Sequence, residues 1–243
     1  MPSDNIAQMI VFVDYDNLGI YKSKKLDDLV PVILDRIVGN ISENRVSCCI
    51  RLYGGWYDEK GQSVEGKKVS MALIENENSV QRFVGKHGQA VFIKSHVEMA
   101  SSILQKPDYD LFYTYRAKSK AYNVKVKKRE EVNCTHGECL LPILSKFLKN
   151  GKCPRAGCTV DDPTLIWRNE QKLVDSMIAC DMVYSANIRM SYIVLVSDDD
   201  DFVPVLLALG AMRQSVFRIS PKGERLASGR FRYALPNVVE GRL

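Results

Sequence analysis

Residues 8–16, QMIVFVDYD, and residues 192–201, YIVLVSDDDD, decide the fold. Each is a brief apolar run, too short for a buried helix, that stops abruptly in aspartate. Such runs read as strands buried on both faces, here over 8–13 and 192–197. Working outward, helical spacing of Leu26, Leu29, Val30, Ile33 and Ile37 predicts a helix over 26–38, stopped at Gly39-Asn40. Further strands are expected at 46–53, 90–95, 109–115 and 215–219, and further helices at 67–85, 170–183 and 202–212. Strands alternating with helices predict an α/β fold with a mostly parallel sheet covered on both sides.

The remaining composition narrows the classes. The chain has 243 residues, 46% hydrophobic and 26% charged. Those figures suit a folded globular domain and argue against disorder, collagen or a coiled coil. No window approaches the roughly 18 uninterrupted apolar residues of a membrane span. Residues 1–8 lack a basic segment followed by an apolar one, so no secretory signal is read and the cytoplasm is the expected location. Net charge is +5, weak support for a polyanionic partner on its own. Its distribution is more informative. Residues 116–129 hold Arg116, Lys118, Lys120, Lys125, Lys127, Lys128 and Arg129 with no acid, and carboxylates concentrate in Asp198–Asp201. The basic run reads either as a solvated strand edge or as a phosphate-contacting surface.

In parallel α/β sheets, ligands bind outside the carboxyl ends of the strands, where the strand order reverses. Two strands delivering Asp14 and Asp198–Asp201 side by side would crowd like charges there. Such crowding is costly unless a cation neutralises it or a proton is taken up. An oxygen-only set without histidine suits Mg²⁺ or Mn²⁺. Asp175, on an otherwise apolar helical segment, is a third candidate, whereas Asp181 points roughly 240° further round that helix. Plainer readings stand beside these: Asp14 as a loop cap, Asp201 as a helix cap before Pro204, and Asp181 as a surface residue.

Three segments carry a family resemblance: VFVDYDNL (11–18), KLVDSMIACDM (172–182) and VLVSDDDDFVPVL (194–206). In order and spacing they resemble the signature segments of the NYN domain, LabA-like branch, whose fold is related to PIN-domain nucleases. Asp14 and Asn17 fall on the first pattern, Lys172, Asp175 and Asp181 on the second, and Ser197, Asp199, Asp201, Phe202 and Pro204 on the third. Asp198 departs from it, standing where the family usually carries glycine. The resemblance implies a three-layer Rossmann-like domain over 1–243 and a metal-dependent endoribonuclease. Its metal ligands would be Asp14, Asp175, Asp199 and Asp201. Asn17 would orient a carboxylate or touch the scissile phosphate, and Ser197, Asp181 and Lys172 would support from behind. The expected substrate is RNA, single-stranded or structured. The alternatives are a non-catalytic RNA-binding protein of this fold, or a haloacid-dehalogenase-like phosphatase with Asp14 as nucleophile. The latter expects Thr or Val where Asn17 stands.

Residues 116–168 break the strand-helix alternation and are expected to form a basic, cysteine-rich insertion. Cys134-x4-Cys139 and Cys153-x4-Cys158, 13 residues apart, suggest a structural Zn²⁺ rather than disulfides, with His136 a possible substitute ligand. Cys48, Cys49 and Cys180 read as small apolar core residues.

Overall fold

The computed structural model describes residues 6–58, 60–75, 79–111, 114–119, 127, 131, 140–161, 167–171, 173–222 and 237–243. The chain divides into two compact units, one of residues 1–114 with 172–243, the other of residues 115–171.

The larger unit is built on a seven-stranded sheet. Its strands are β1 (Ala7–Asp14), β2 (Arg45–Tyr53), β5 (Ser79–Val84), β6 (Ala90–Met99), β9 (Tyr192–Val196), β10 (Val216–Ser220) and β11 (Val238–Arg242). A small hairpin, β3 (Tyr57–Asp58) with β4 (Gly61–Gln62), lies between β2 and β5 in sequence. The order across the sheet is β11-β10-β9-β1-β2-β6-β5, and every pairing is parallel except β5 with β6. From β1 the chain proceeds outward through β2 and β6, then returns to lay β9, β10 and β11 on the other side. The order therefore reverses between β1 and β9, which are direct neighbours. The arrangement is compatible with a Rossmann-like three-layer fold.

Alternation along β1 explains the uninterrupted apolar run. Met9, Val11 and Val13 join one core cluster, Ile10 and Phe12 the other. The first cluster is closed by α1 (Leu26–Val38), through Leu29, Ile33 and Ile37, and by α2 (Val64–Glu75), through Val69. The second is closed by α4 (Val174–Asn187), through Met177, Ile178 and Met182, and by α5 (Val203–Ala211), through Leu206 and Leu209. Burying one such side chain is worth roughly 1.5–3 kcal/mol, so both faces contribute to stability. Pro31 sits within α1, where it leaves the carbonyl of Asp27 without its helical donor. Asp27 is exposed, which keeps that cost small.

Several boundaries differ from the sequence expectation. The helix expected at 67–85 ends at Glu75, and 79–84 is instead the edge strand β5. Its Val80 and Val84 are exposed, so it lacks a strong burial signal. No strand covers 109–111, a bend whose Leu111 N–H bonds the Ser101 carbonyl. Residues 112–113 lie outside the described residues. The helix expected from 170 begins at Val174, because Leu173 adopts φ +73°, a left-handed conformation that stops helical propagation backward. Strand β11 was not anticipated.

The smaller unit contains the antiparallel pair β7 (Tyr115–Ser119) and β8 (Trp167–Gln171) with α3 (Leu141–Asn150), which ends in Gly151 at φ +72°. Among the described residues, no helix is long and apolar enough to cross a membrane.

Candidate functional site

Asp14 is the last residue of β1, and Ser197 follows the last residue of β9. Because β1 and β9 are parallel neighbours, both chain ends emerge at the carboxyl edge, where the strand order reverses. Ser197 Oγ donates to Asp14 Oδ2 at 2.7 Å, and Asn17 Nδ2 donates to the same oxygen at 2.6 Å. Asp14 is only 2% exposed. Burial pushes its carboxyl up to about 6, against the lowering effect of Asn17 and Ser197, and the negative charges of Asp175 and Asp16 add to the rise. The aspartates from β1 and α4 therefore share one electrostatic neighbourhood.

Asp175 lies in the first turn of α4 and is exposed. The left-handed Leu173 immediately precedes that turn. A non-glycine residue held there costs energy, and such strain gathers at functional sites.

The acidic run after β9 separates into distinct roles. The Asp199 N–H donates to Ser197 Oγ at 3.0 Å, and Asp199 Oδ1 accepts from the Asp201 N–H at 2.9 Å. Asp199, not Asp201, therefore caps the short helical turn 200–202. Asp201 keeps an exposed side chain at the rim. Asp198 accepts from Ser220 Oγ and, at 2.7 Å, from the Lys222 N–H, so it stitches the end of β9 to the end of β10. Beneath the run, the buried Arg218 guanidinium donates to the carbonyls of Ser197 (3.3 Å) and Asp199 (3.1 Å) and stands 3.6 Å from Asp200. This cation offsets part of the local negative charge and fixes the backbone that presents Asp199.

Asp181 is neither a surface residue nor part of the acidic rim. It is fully buried, accepting from Tyr53 Oη at 2.5 Å and from the Leu104 N–H at 2.7 Å. Burial raises its carboxyl above the usual range. Tyr53 is the β2 register partner of Asp14, so Asp181 stands one residue behind the site.

Sequence reasoning passed over Asp16, Lys22, Arg218 and Lys222 as site residues. Asp16 Oδ1 accepts from Lys22 Nζ at 2.6 Å and Oδ2 from the Gly55 N–H at 3.1 Å, tying the ends of β1 and β2. Gly54 is required here, since a Cβ would meet the buried Trp56 ring at 2.8 Å. Lys222 Nζ reaches Asn17 Oδ1 at 3.2 Å. The available signals were the Asp-x-Asp-Asn sequence at 14–17, and a charged residue in the otherwise apolar strand β10.

The remaining candidates are placed as follows. Arg116 and Lys118 fall on β7, and Lys127 is exposed. Lys120, Lys125, Lys128, Arg129, Lys172, Cys134, His136 and Cys139 lie outside the described residues. Cys153 and Cys158 are close enough for their thiols to hydrogen-bond, and the Cys153 thiol is lowered first by a backbone hydrogen bond at Arg155 and then by Cys158. Cys48 is buried in the core and Cys49 half-buried, while Cys180 is exposed on α4 rather than in the core. Among the described residues, no three His, Cys, Asp or Glu side chains close to direct metal-holding distance.

Comparison with protein-family models, curated proteins and solved structures finds no match to this chain.

Proposed function

We propose that the chain is a cytoplasmic, metal-dependent endoribonuclease of the NYN type, with its site at the carboxyl edge between β1 and β9. The observation that carries this reading is Asp14. It is a carboxylate buried at the strand-order reversal and held up to about 6 by desolvation, with Asp175 and Asp16 adding to the strain. A site tuned this way favours a counter-cation.

The donor set is all oxygen, which fits Mg²⁺ or Mn²⁺. Mg²⁺ retains several waters and takes only one or two protein carboxylates directly, so a loose set suits it. Asp14, Asp175 and Asp199 would hold the ion, with Asp201 at the rim. When bound, it supplies a polarised phosphate oxygen and a water of lowered pKa. The chain's own residues do the rest. Ser197 and Asn17 fix the Asp14 carboxylate through Oδ2, and Arg218 holds the loop that carries Asp199. Lys222, at the Asn17 side chain, offers a cation to a non-bridging phosphate oxygen. In the 115–171 unit, Cys153 and Cys158 supply two thiols of a proposed four-cysteine zinc site, and the basic run 116–129 contacts RNA phosphates.

A second reading is an RNA-binding protein without cleavage, favoured by the lack of a tight three-carboxylate group among the described residues. One experiment decides. The protein is incubated with single- and double-stranded RNA and DNA in Mg²⁺, Mn²⁺ or EDTA, and product ends are mapped. Metal-dependent internal cuts in RNA that vanish in EDTA and in Asp14→Asn support the nuclease. RNA binding with intact substrate in Mn²⁺ supports the binding protein.

A further inference from the structure

On the α1 and α2 side of the same edge lies a cavity of about 200 Å³. Four lysines line it, Lys22, Lys24, Lys25 and Lys68, against a single carboxylate, Glu65. The floor is apolar, formed by Leu26 and Val69. Tyr15, the residue after Asp14, forms one wall, and its hydroxyl faces Glu65 at 3.5 Å. Lys22 Nζ is held by Asp16 and lies 5.2 Å from the Tyr15 ring centre, and Lys24 Nζ stands over the Tyr21 ring. Lys25 is also the N-cap of α1 and makes no side-chain cap, and since Asp27 and Asp28 in the first turn offset the positive helix end, the charge of the cavity comes from its lysines.

Like charges are not gathered around a concavity without cost, and Glu65 alone among the lining residues opposes the charge of Lys24, Lys25 and Lys68. The volume is below that of a pocket for a whole drug-sized ligand, and it suits a phosphate group with part of its sugar. We infer that this cavity is a phosphate-binding subsite for the nucleic-acid strand, receiving a phosphate next to the one presented at Asp14. This rests on the nuclease reading for its substrate, but binding does not depend on cleavage. Lys24, Lys25 and Lys68 contact the phosphate, while Lys22, through Asp16, links the subsite to the carboxylate edge. The phosphate belongs either to a strand's 5′ end or to its interior, and the cavity chemistry is the same for both.

The test measures anisotropy of 3′-labelled single-stranded RNA, bearing either 5′-phosphate or 5′-hydroxyl, in EDTA across a salt series. Wild type is compared with Lys25→Glu/Lys68→Glu and with the control Lys86→Ala/Lys106→Ala. The subsite predicts at least a tenfold loss of affinity in the first variant. Its slope of log K against log salt becomes shallower by about 0.7, because one phosphate is no longer neutralised. The control should change little. A loss confined to 5′-phosphorylated RNA identifies an end phosphate, and equal loss on both RNAs an internal one. Unchanged affinity and slope, or no RNA binding by wild type, overturns the subsite. The milder Lys24→Ala/Lys68→Ala pair, checked by thermal unfolding, repeats the measurement if charge reversal impairs folding. Failure of wild type to cleave in Mn²⁺ while the lysine effect persists removes the nuclease reading and leaves the subsite standing.

Discussion

Ser197 donates to Asp14 across 183 positions of sequence while its own oxygen accepts from the Asp199 backbone. One hydroxyl thus joins the ends of two neighbouring strands and sets the spacing between two of the three proposed metal ligands. Ser197→Ala removes one of two donors to Asp14 Oδ2. Since that bond lowers the Asp14 carboxyl, its loss moves the group further above 6. The acid limb of the cleavage profile should shift to higher pH, and stability should fall by about 1–2 kcal/mol. A pH–rate profile matching wild type would separate Ser197 from the reaction.

Asp14 itself should trade stability for chemistry. Its folded value, about 6, lies above the ordinary 3.8, so the native state binds the proton more tightly than the unfolded chain. The stabilisation from protonation is full below 3.8 and is lost as pH rises through about 6. Above that the ionised group costs on the order of 3 kcal/mol, about two pK units at 1.36 each. Asp14→Asn should abolish cleavage and raise the urea midpoint at about pH 7.5, with the gap closing toward about pH 4. Mn²⁺ should stabilise wild type more than the variant. A midpoint difference independent of pH would show that burial does not strain this carboxylate.

Tyr53 and Asp181 make a separate prediction. Tyr53→Phe leaves the buried Asp181 with the Leu104 N–H as its remaining donor among the described residues. The cost should be about 1–3 kcal/mol. Losing a donor to the charged form raises the Asp181 carboxyl further, so the destabilisation should grow with rising pH. Because Asp181 stands behind the site, kcat should stay within about threefold of wild type, and a loss comparable to Asp14→Asn would make it part of the chemistry.

The strands that build the site were legible because parallel central strands are apolar on both faces, as in VFV before Asp14 and YIVLV before Ser197. The hydrogen bond between Ser197 and Asp14 spans 183 residues and leaves no local trace, so Ser197 was pointed to only by the family resemblance. Edge elements were hidden. β5 exposes Val80 and Val84, so its pattern could not outweigh a helical reading. Leu173 was unreadable because left-handed backbone is imposed by tertiary context, not by leucine. Asp199 and Asp201 could not be ranked as caps until backbone direction was fixed. The lysine cavity draws on Lys22, Lys24, Lys25 and Lys68, which come together only when α1 and α2 pack on the same face.

Cys153 and Cys158 give the last prediction. The Cys153 N–H bonds the Val160 carbonyl and the Cys158 N–H bonds the Arg155 carbonyl, closing a turn that brings both thiols within hydrogen-bonding reach. Gly157 carries φ +78° in that turn, a conformation that alanine adopts only with strain. A lowered thiol is a better metal ligand, because zinc binds the thiolate. Tetrahedral zinc needs two further ligands, which Cys134 and Cys139 would supply. Elemental analysis of tag-free protein should give about one zinc per chain. Cys153→Ser should remove it, and Gly157→Ala should weaken retention against a chelator while keeping all four thiols. A metal-free wild type, prepared without chelators, would instead leave the two thiols as an unligated pair.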